Sequence, residues 1–243
     1  VNMKNLNALI IALAVILTGY ILGNAFKNRY DYQNTIAVTG AGKTDFESDL
    51  VVWSGYFQKK SPELKEAYAQ LDSDRNIIKG YLKDKGIKDE EIVFSSVSIN
   101  RDYESYYDQN GKYVSRFSGY NLEQSVSIQS NNIDQIESLS REVTELINRG
   151  VELYSNSPQY YYTNLESLKL ELIAKATSDG RQRAENIATE SNARLGDLQS
   201  ASMGVFQIIG QNSSEDYSWG GAYNTSSRKK TATITVKLSF ATR

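Results

Sequence analysis

Residues 8–26 (ALIIALAVILTGYILGNAF) carry no charged side chain over nineteen positions. As an α-helix this run would be about 28 Å long at ~1.5 Å per residue, close to the ~30 Å hydrocarbon core of a bilayer. The sequence therefore predicts a transmembrane anchor over residues 1–27, joined by a linker (28–33) to a folded domain over residues 34–241. The apolar side chains that would form the anchor are Leu9, Ile10, Ile11, Leu13, Val15, Ile16, Leu17, Ile21 and Leu22.

The same segment is compatible with a cleaved secretory signal. Lys4 precedes the apolar run, and residues 23–25 (GNA) place small side chains at both key positions of an A-x-A-like cleavage site. The run is long for a signal, and Lys27 and Arg29 follow it at once, which favours an uncleaved anchor. The expected location is a bacterial inner membrane, with the domain in the periplasm or outside the cell, or the soluble periplasm after cleavage.

The composition argues against several classes of function. The chain has no histidine and no cysteine, so it lacks the usual general base, the thiolate nucleophile and the soft metal ligands. Its 27 Lys and Arg face 29 Asp and Glu, and a net charge of −2 leaves no basic surface for nucleic-acid phosphates. We therefore expect no enzymatic activity, no cofactor, no metal and no nucleic-acid partner.

Hydrophobic periodicity predicts an α+β fold in which antiparallel strands pack with three helices. Apolar alternation and apolar runs predict strands at 35–42, 49–58, 151–161, 198–209 and 230–240. A long hairpin is predicted from strands at 91–107 and 112–129, with Asn110-Gly111 as a type I′ turn. Helical stripes with capping signals predict the three helices at 61–86, 131–148 and 164–193.

Two polar segments, a hairpin tip at 101–110 and a Gly-rich loop at 210–227, carry aromatic residues. A loop of the second length is either functional or mobile. Aromatic residues are enriched at protein interfaces, which favours a contact between subunits, while recognition of a ligand is the alternative. The candidates for this interface or ligand loop are Tyr106, Tyr107, Tyr217, Trp219 and Tyr223.

Residues 37–44 (AVTGAGKT) fit a permissive form of the nucleotide-binding P-loop. A P-loop requires a helix that begins at its lysine, but the residues that follow Lys43 are predicted to form a strand. The sequence context therefore argues against nucleotide binding.

The third predicted helix carries opposite charges four positions apart. Asp179 and Arg183 form one such pair, and Arg181 and Glu185 form another. Side chains with this spacing meet on a helix surface, so we expect two ion pairs on an exposed or intersubunit face.

An ordered series of short motifs resembles the SIMPL-domain family. The motifs are IAVTGAG at 36–42, GI at 86–87, EI at 91–92, GY at 119–120, DGRQRAENIA at 179–188 and LG at 195–196. Gly180 and Asn192 stand where an alanine and a glycine are usual in the family. The resemblance implies an α+β fold, no established enzymatic activity and, as in a bacterial member of known structure, a large channel-like homo-oligomer. Some members are associated with resistance to oxidative stress.

These observations give two functional hypotheses. The first is a membrane-anchored, extracytoplasmic structural protein that self-assembles into a ring, channel or cage and is linked to envelope stress resistance. Its partners would be further copies of the chain and membrane lipid. The second is an envelope binding module that recognises a glycan or a partner protein through its Tyr-rich loops.

Overall fold

The computed structural model describes the backbone of residues 3–29 and 35–242 and the side chains of residues 12–24, 26 and 35–242. Four α-helices lie within these residues: α1 (Met3–Arg29), α2 (Leu64–Asp84), α3 (Ile133–Glu142) and α4 (Leu165–Glu190). A 3-10 helix, Val143–Arg149, continues directly from α3.

The strands of the described residues form two sheets. They are β1 (Thr35–Glu47), β2 (Leu50–Ser61), β3 (Ile92–Phe94), β4 (Ser98–Tyr107), β5 (Tyr113–Ser130), β6 (Leu153–Ser155), β7 (Gln159–Tyr161), β8 (Leu195–Met203), β9 (Gln207–Gly210), β10 (Ala222–Tyr223) and β11 (Lys229–Thr242). In the first sheet, β11 pairs with β1 on one side and with β8 and β9 on the other, and β10 pairs with β9. In the second sheet, β5 lies between β2 and the strands β3 and β4, while β6 and β7 pair with β2. The α+β class is confirmed.

Each sheet buries one face against its own helices. The second sheet places Trp53 and Phe57 in a core closed by α2 and α3. The first sheet places Ile234 and Leu238 against α4, where small residues such as Ala176 let the helix approach closely. Because side chains alternate along a strand, the opposite face of β11 points away from α4. This outer face of the first sheet is available for a binding site.

The two halves meet at a polar joint around Lys230. Lys230 is 1% exposed, and its Nζ donates to Ser48 Oγ at 2.8 Å and to the Tyr160 carbonyl at 2.5 Å. No carboxylate of the described residues pairs with it, so burial lowers the pKa of this lysine to about 8. Nearby, Arg228 forms ion pairs with acidic side chains of both β1 and α3.

The predicted membrane span was wrong. Among the described residues, no helix is long and apolar enough to cross a membrane. The described side chains of α1 between residues 12 and 26 do not by themselves supply the ~20 consecutive apolar residues that a membrane-spanning helix needs. The anchor residues Leu9, Ile10 and Ile11 lie outside the described side chains. The others are exposed: Leu13, Val15, Ile16, Leu17, Ile21 and Leu22.

Capping signals predicted several helix ends, although α2 begins at Leu64 and not at 61, and its N-cap residue, Glu63, makes no side-chain capping hydrogen bond. The Asn132 side chain accepts a hydrogen bond from the backbone N–H of Gln135 at the start of α3. Gly86 and Gly150 adopt positive φ angles of 84° and 79° just after α2 and after the 3-10 helix. These glycines supply the left-handed conformation that ends a helix.

Several local predictions were wrong. The strand predicted over 91–107 is divided into β3 and β4, and the strand predicted over 198–209 is divided into β8 and β9. The strand predicted over 151–161 is two three-residue strands, β6 and β7, separated at Pro158, which has no N–H for a ladder. The hairpin turn is not type I′, because Asn110 does not have the positive φ that this turn requires. Instead, Asp108 Oδ1 accepts from the N–H groups of Asn110 and Lys112, both at 2.9 Å, which fixes a longer turn.

Candidate functional site: a hairpin arm and an aromatic pocket

The hairpin of β4 and β5 extends beyond the second sheet. Within the described residues, β5 pairs with β2 only from Tyr120 onward, so residues 103–118 pair solely with each other. Gly119 lies at the root, with φ 144°, where an added Cβ would be 2.5 Å from the Ser61 carbonyl oxygen. Only glycine therefore lets the ribbon leave the sheet at this crossing. We call residues 103–118 the hairpin arm.

One face of the hairpin arm is a ladder of aromatic side chains. Tyr103 packs edge-on against Phe117 with ring centroids 5.9 Å apart, and Tyr107 packs against Tyr113 at 5.7 Å. The hydroxyls of Ser105 and Ser115, which are hydrogen-bonded at 3.2 Å, lie between these two pairs of rings. The rings are exposed, from 42% for Phe117 to 73% for Tyr107. We call this surface the aromatic face of the arm.

The two tyrosines of the hairpin tip do not share a face. Tyr107 belongs to the aromatic face, whereas Tyr106 lies opposite Val114 on the other side of the ribbon. Residues of opposite charge, Glu104 and Arg116, are paired next to them on that side. Strand alternation thus separates neighbours that the sequence alone grouped together.

A cavity of about 470 Å³ opens on the outer face of the first sheet, beneath the loop after β9. Trp219 stands fully exposed at its rim, and Tyr217 and Val205 are 63% and 47% exposed. We call this cavity the aromatic pocket. Its lining consists of Gly204, Val205, Gln207, Tyr217, Ser218, Trp219, Thr233, Ile234 and Thr235.

Polar side-chain groups also line the aromatic pocket, namely those of Gln207, Tyr217, Ser218, Trp219, Thr233 and Thr235. Both ends of the Gln207 amide are hydrogen-bonded to the backbone of the loop. Its Nε2 donates to the Ser218 carbonyl at 2.7 Å, and its Oε1 accepts from the Ser218 N–H at 3.2 Å. Thr233 Oγ1 is buried and has no hydrogen-bond partner among the described residues. A buried polar atom without a partner destabilises the fold. Because Thr233 Oγ1 is enclosed by the protein, a ligand in the pocket does not reach it in this structure.

The loop aromatics that the sequence grouped together occupy two places. Tyr217 and Trp219 line the aromatic pocket. Tyr223 lies in the polar joint instead, with its ring 6.5 Å from that of Tyr161 and 5.9 Å from Lys230 Nζ. Tyr223 is therefore part of the packing between the two halves.

The motif helix α4 has a structural role. Its surface carries the ion pairs Asp179–Arg183 and Arg181–Glu185, each 2.9 Å long. Asp179 Oδ2 also accepts from the Ala41 backbone N–H at 2.8 Å, and this bond, followed by the Arg183 contact, lowers the pKa of the Asp179 carboxyl. The four charged residues of the motif thus stabilise the helix and its contact with β1.

The described residues form neither a phosphate loop nor a metal cluster. Lys43 lies in the middle of β1, opposite Thr233 of β11, so the AVTGAGKT segment is a strand. Within the part of the chain that the structure describes, no group of three or more acidic side chains could hold a metal ion.

Sequence reasoning missed several residues of both surfaces. Gln207 and Thr233 belong to different strands and meet only because both strands pair in one sheet. The sequence would have paired the aromatics of the arm wrongly, because counting outward from a two-residue Asn110-Gly111 turn places Tyr107 opposite Val114. The longer turn of the structure places Tyr107 opposite Tyr113.

The fold defines the class of protein: an α+β domain of two antiparallel-rich sheets, each packed on its own helices. The family model for SIMPL, described as a protein of unknown function (DUF541), matches residues 36–240, and the chain belongs to this family. The resemblance of the short motifs to that family is confirmed. A comparison with curated proteins finds no match.

Proposed function

We propose that this protein is an extracytoplasmic structural protein whose copies assemble into a closed homo-oligomer, such as a ring, a channel or a cage. SIMPL domains are extracytoplasmic in general, which supports the location. The proposal assigns no covalent chemistry to a chain that has neither histidine nor cysteine.

The hairpin arm is the observation that supports assembly. A two-stranded hairpin without further packing is marginally stable in water. This one nevertheless presents four aromatic rings to solvent along one face, led by Tyr107 at 73% exposure. Contiguous exposed apolar surface of this kind marks an interaction site, and a second copy of the chain would bury it.

The symmetry of the contact between copies determines which kind of oligomer forms. If two arms meet each other, the contact is isologous and closes a pair. If the arm of one copy meets a different surface of the next, the contact is heterologous and closes a ring when the rotation permits. A single arm on each copy is sufficient for either arrangement.

The proposal is tested by measuring the mass of the full-length protein in solution. Size-exclusion chromatography with light scattering at micromolar concentration should give a species several times the 27.3 kDa chain mass. A particle of one chain mass at that concentration would contradict self-assembly.

A second candidate function is recognition of an envelope glycan or partner protein at the aromatic pocket. The fully exposed ring of Trp219 beside a concave site favours it. Alanine substitutions of Tyr217 and Trp219 separate the two functions. Loss of ligand capture from envelope extracts with the assembly intact supports recognition, whereas dissociation into single chains supports an interface.

A further inference from the structure

The chain has two places where an asparagine or an aspartate precedes a glycine, Asn110-Gly111 and Asp179-Gly180. At such a sequence the backbone nitrogen of the glycine can attack the side-chain carbonyl carbon of the residue before it, because glycine has no Cβ to hinder the approach. The attack closes a five-membered cyclic imide, and an asparagine then loses its side-chain nitrogen as ammonia. The local structure determines which of the two places has the freedom to react.

The first pair lies at the tip of the hairpin arm. Asn110 and Gly111 are both exposed, and the Asn110 side chain makes no hydrogen bond within the described part of the chain. A Cβ at Gly111 would meet nothing within 4 Å, so the space beside this residue is open. The Gly111 N–H donates to the Asp108 carbonyl at 2.9 Å. Only this bond of an exposed turn has to open before the nitrogen attacks, and such bonds open locally at little cost.

The second pair is held by α4. Gly180 is buried in the middle of the helix, where a backbone N–H donates to the carbonyl four residues earlier. The Asp179 carboxylate accepts from the Ala41 N–H at 2.8 Å and from Arg183 Nε at 2.9 Å. Ring closure there would have to break these bonds and a turn of the helix together, so the fold protects this pair.

Asn212 offers a comparison within the same chain. It is exposed in the loop after β9, and its side chain makes no hydrogen bond to another described residue. The next N–H, that of Ser213, donates to the Gly210 carbonyl at 3.2 Å, as the Gly111 N–H does to Asp108. The residue after the asparagine is serine here and glycine at the arm tip, so Asn212 shows what exposure alone does.

We propose that Asn110 is a site of spontaneous deamidation. The Gly111 nitrogen loses its proton and bonds to Asn110 Cγ, the bond from Cγ to the side-chain nitrogen breaks, and ammonia leaves with that proton. One water then opens the imide, giving aspartate by attack at Cγ or isoaspartate by attack at the backbone carbonyl carbon. The net reaction consumes one water and releases one ammonia, without oxidation or reduction. It does not depend on the proposed self-assembly.

Either product changes the tip of the arm. Aspartate adds a second carboxylate beside Asp108, where Lys112 is the neighbouring cation. Isoaspartate inserts an additional carbon into the backbone of the turn that Asp108 Oδ1 fixes through the N–H groups of Asn110 and Lys112. The longer backbone weakens these two hydrogen bonds and the ring contact of Tyr107 with Tyr113 that adjoins them.

Peptide mapping of the folded, full-length protein tests the site. The protein is incubated in mildly alkaline buffer and digested, and every asparagine-containing peptide is followed by mass spectrometry. The Asn110 peptide should convert from amide to acid, and its isoaspartate should accept a methyl group from S-adenosylmethionine in the presence of an isoaspartate methyltransferase. The Asn212 peptide should keep its amide. Retention of the amide at Asn110, or equal conversion at Asn212, would overturn the proposal.

Two variants test the role of the glycine and of the ring size. Gly111→Ala should lose the conversion, but this residue has a φ of 73°, which strains an alanine. Asn110→Gln leaves the glycine in place and should also lose the conversion, because its longer side chain would have to close a six-membered ring. Circular dichroism verifies the fold of both variants. Conversion of either variant at the wild-type rate would overturn the proposed reaction.

Unfolding in urea tests the protection by α4. The unfolded full-length protein should form isoaspartate at Asp179 as well as at Asn110, whereas the folded protein should form it at Asn110 alone. Isoaspartate at Asp179 of the folded protein, at a rate equal to that at Asn110, would contradict the selection of the arm tip by the fold.

Discussion

The Asp179 carboxylate on α4 accepts a 2.8 Å hydrogen bond from the backbone N–H of Ala41 on β1. Among the described strands, β1 pairs only with β11, so this N–H points to the free edge of the sheet. The bond joins residues 138 positions apart in the chain and fixes the helix over the edge strand. The motif DGRQRAENIA thus contributes to the fold through its first residue.

Substitution of Asp179 should destabilise the protein in a pH-dependent way. Asp179→Ala removes both the cap on Ala41 and the Arg183 pair, so its urea midpoint at pH 7 should fall further than that of Arg181→Ala, which loses only an exposed pair. Because the folded pKa of Asp179 is lowered, its stabilisation is present above the ordinary carboxyl value and lost as pH falls through the folded value. The difference between wild type and Asp179→Ala should therefore shrink below about pH 4. Equal losses for both variants, or a gap that does not change with pH, would contradict this role.

The close packing of α4 on β1 requires glycine at position 40. A Cβ on Gly40 would lie 2.0 Å from the Ala176 carbonyl oxygen, a backbone atom of the helix. Gly40→Ala must therefore displace α4 and should lower the free energy of unfolding by about 3 kcal/mol. Gly80→Ala is the matched control, since a Cβ there meets nothing within 4 Å and should stabilise α2 by up to about 1 kcal/mol. Denaturant titrations in which the two variants shift alike would exclude this packing constraint.

The buried Lys230 predicts a rise in stability at alkaline pH. Its pKa is lowered to about 8 in the folded protein, whereas the unfolded side chain has its ordinary value. Between those values the unfolded chain binds more protons, so the free energy of unfolding increases with pH, by about 2 to 3 kcal/mol from pH 8 to 10. Burial, together with a hydrogen bond to Glu137, raises the pKa of neighbouring Tyr160 to about 12, so that phenol stays neutral in this range.

The matched variants for this prediction are Lys230→Met and Lys229→Met. The first should flatten the alkaline rise, and the second, at an exposed position, should retain it. Chemical denaturation at several pH values measures both slopes. If the free energy of unfolding of Lys230→Met still rises at alkaline pH, a group other than Lys230 causes the rise.

Local patterns predicted the elements better than their arrangement. Some signals depend only on the nearby chain: the alternating apolar residues along 230–240 and the helix caps at Asn132, Gly86 and Gly150. The structure has these features as predicted. The division of the residues at 151–161 into two strands was missed, although Pro158 is a visible interruption. The membrane span was inferred from an uncharged run, which does not by itself establish a sufficient apolar length in the described helix.

The candidate surfaces depend on which strands pair and in which register, and hydrophobic periodicity does not predict this pairing. Trp219 and Tyr217 were visible as aromatic residues in a polar loop, but Thr233 becomes a pocket residue only through the register of β9 on β11. Similarly, Tyr106 and Tyr107 were visible at the tip, but only the β4 and β5 register shows which of them belongs to the aromatic face.

Sedimentation velocity of the full-length protein beside an arm variant tests the central claim most directly. The variant is Tyr107→Ala with Tyr113→Ala, which removes the outer rung of the aromatic face, and the control is Tyr68→Ala, a comparably exposed tyrosine on α2. Wild type and control should sediment as the same species of several chain masses, and the arm variant should sediment as single 27.3 kDa chains with an unchanged far-ultraviolet circular dichroism spectrum. An arm variant that keeps the wild-type sedimentation coefficient, or a wild type that sediments as one chain, would contradict assembly through the arm.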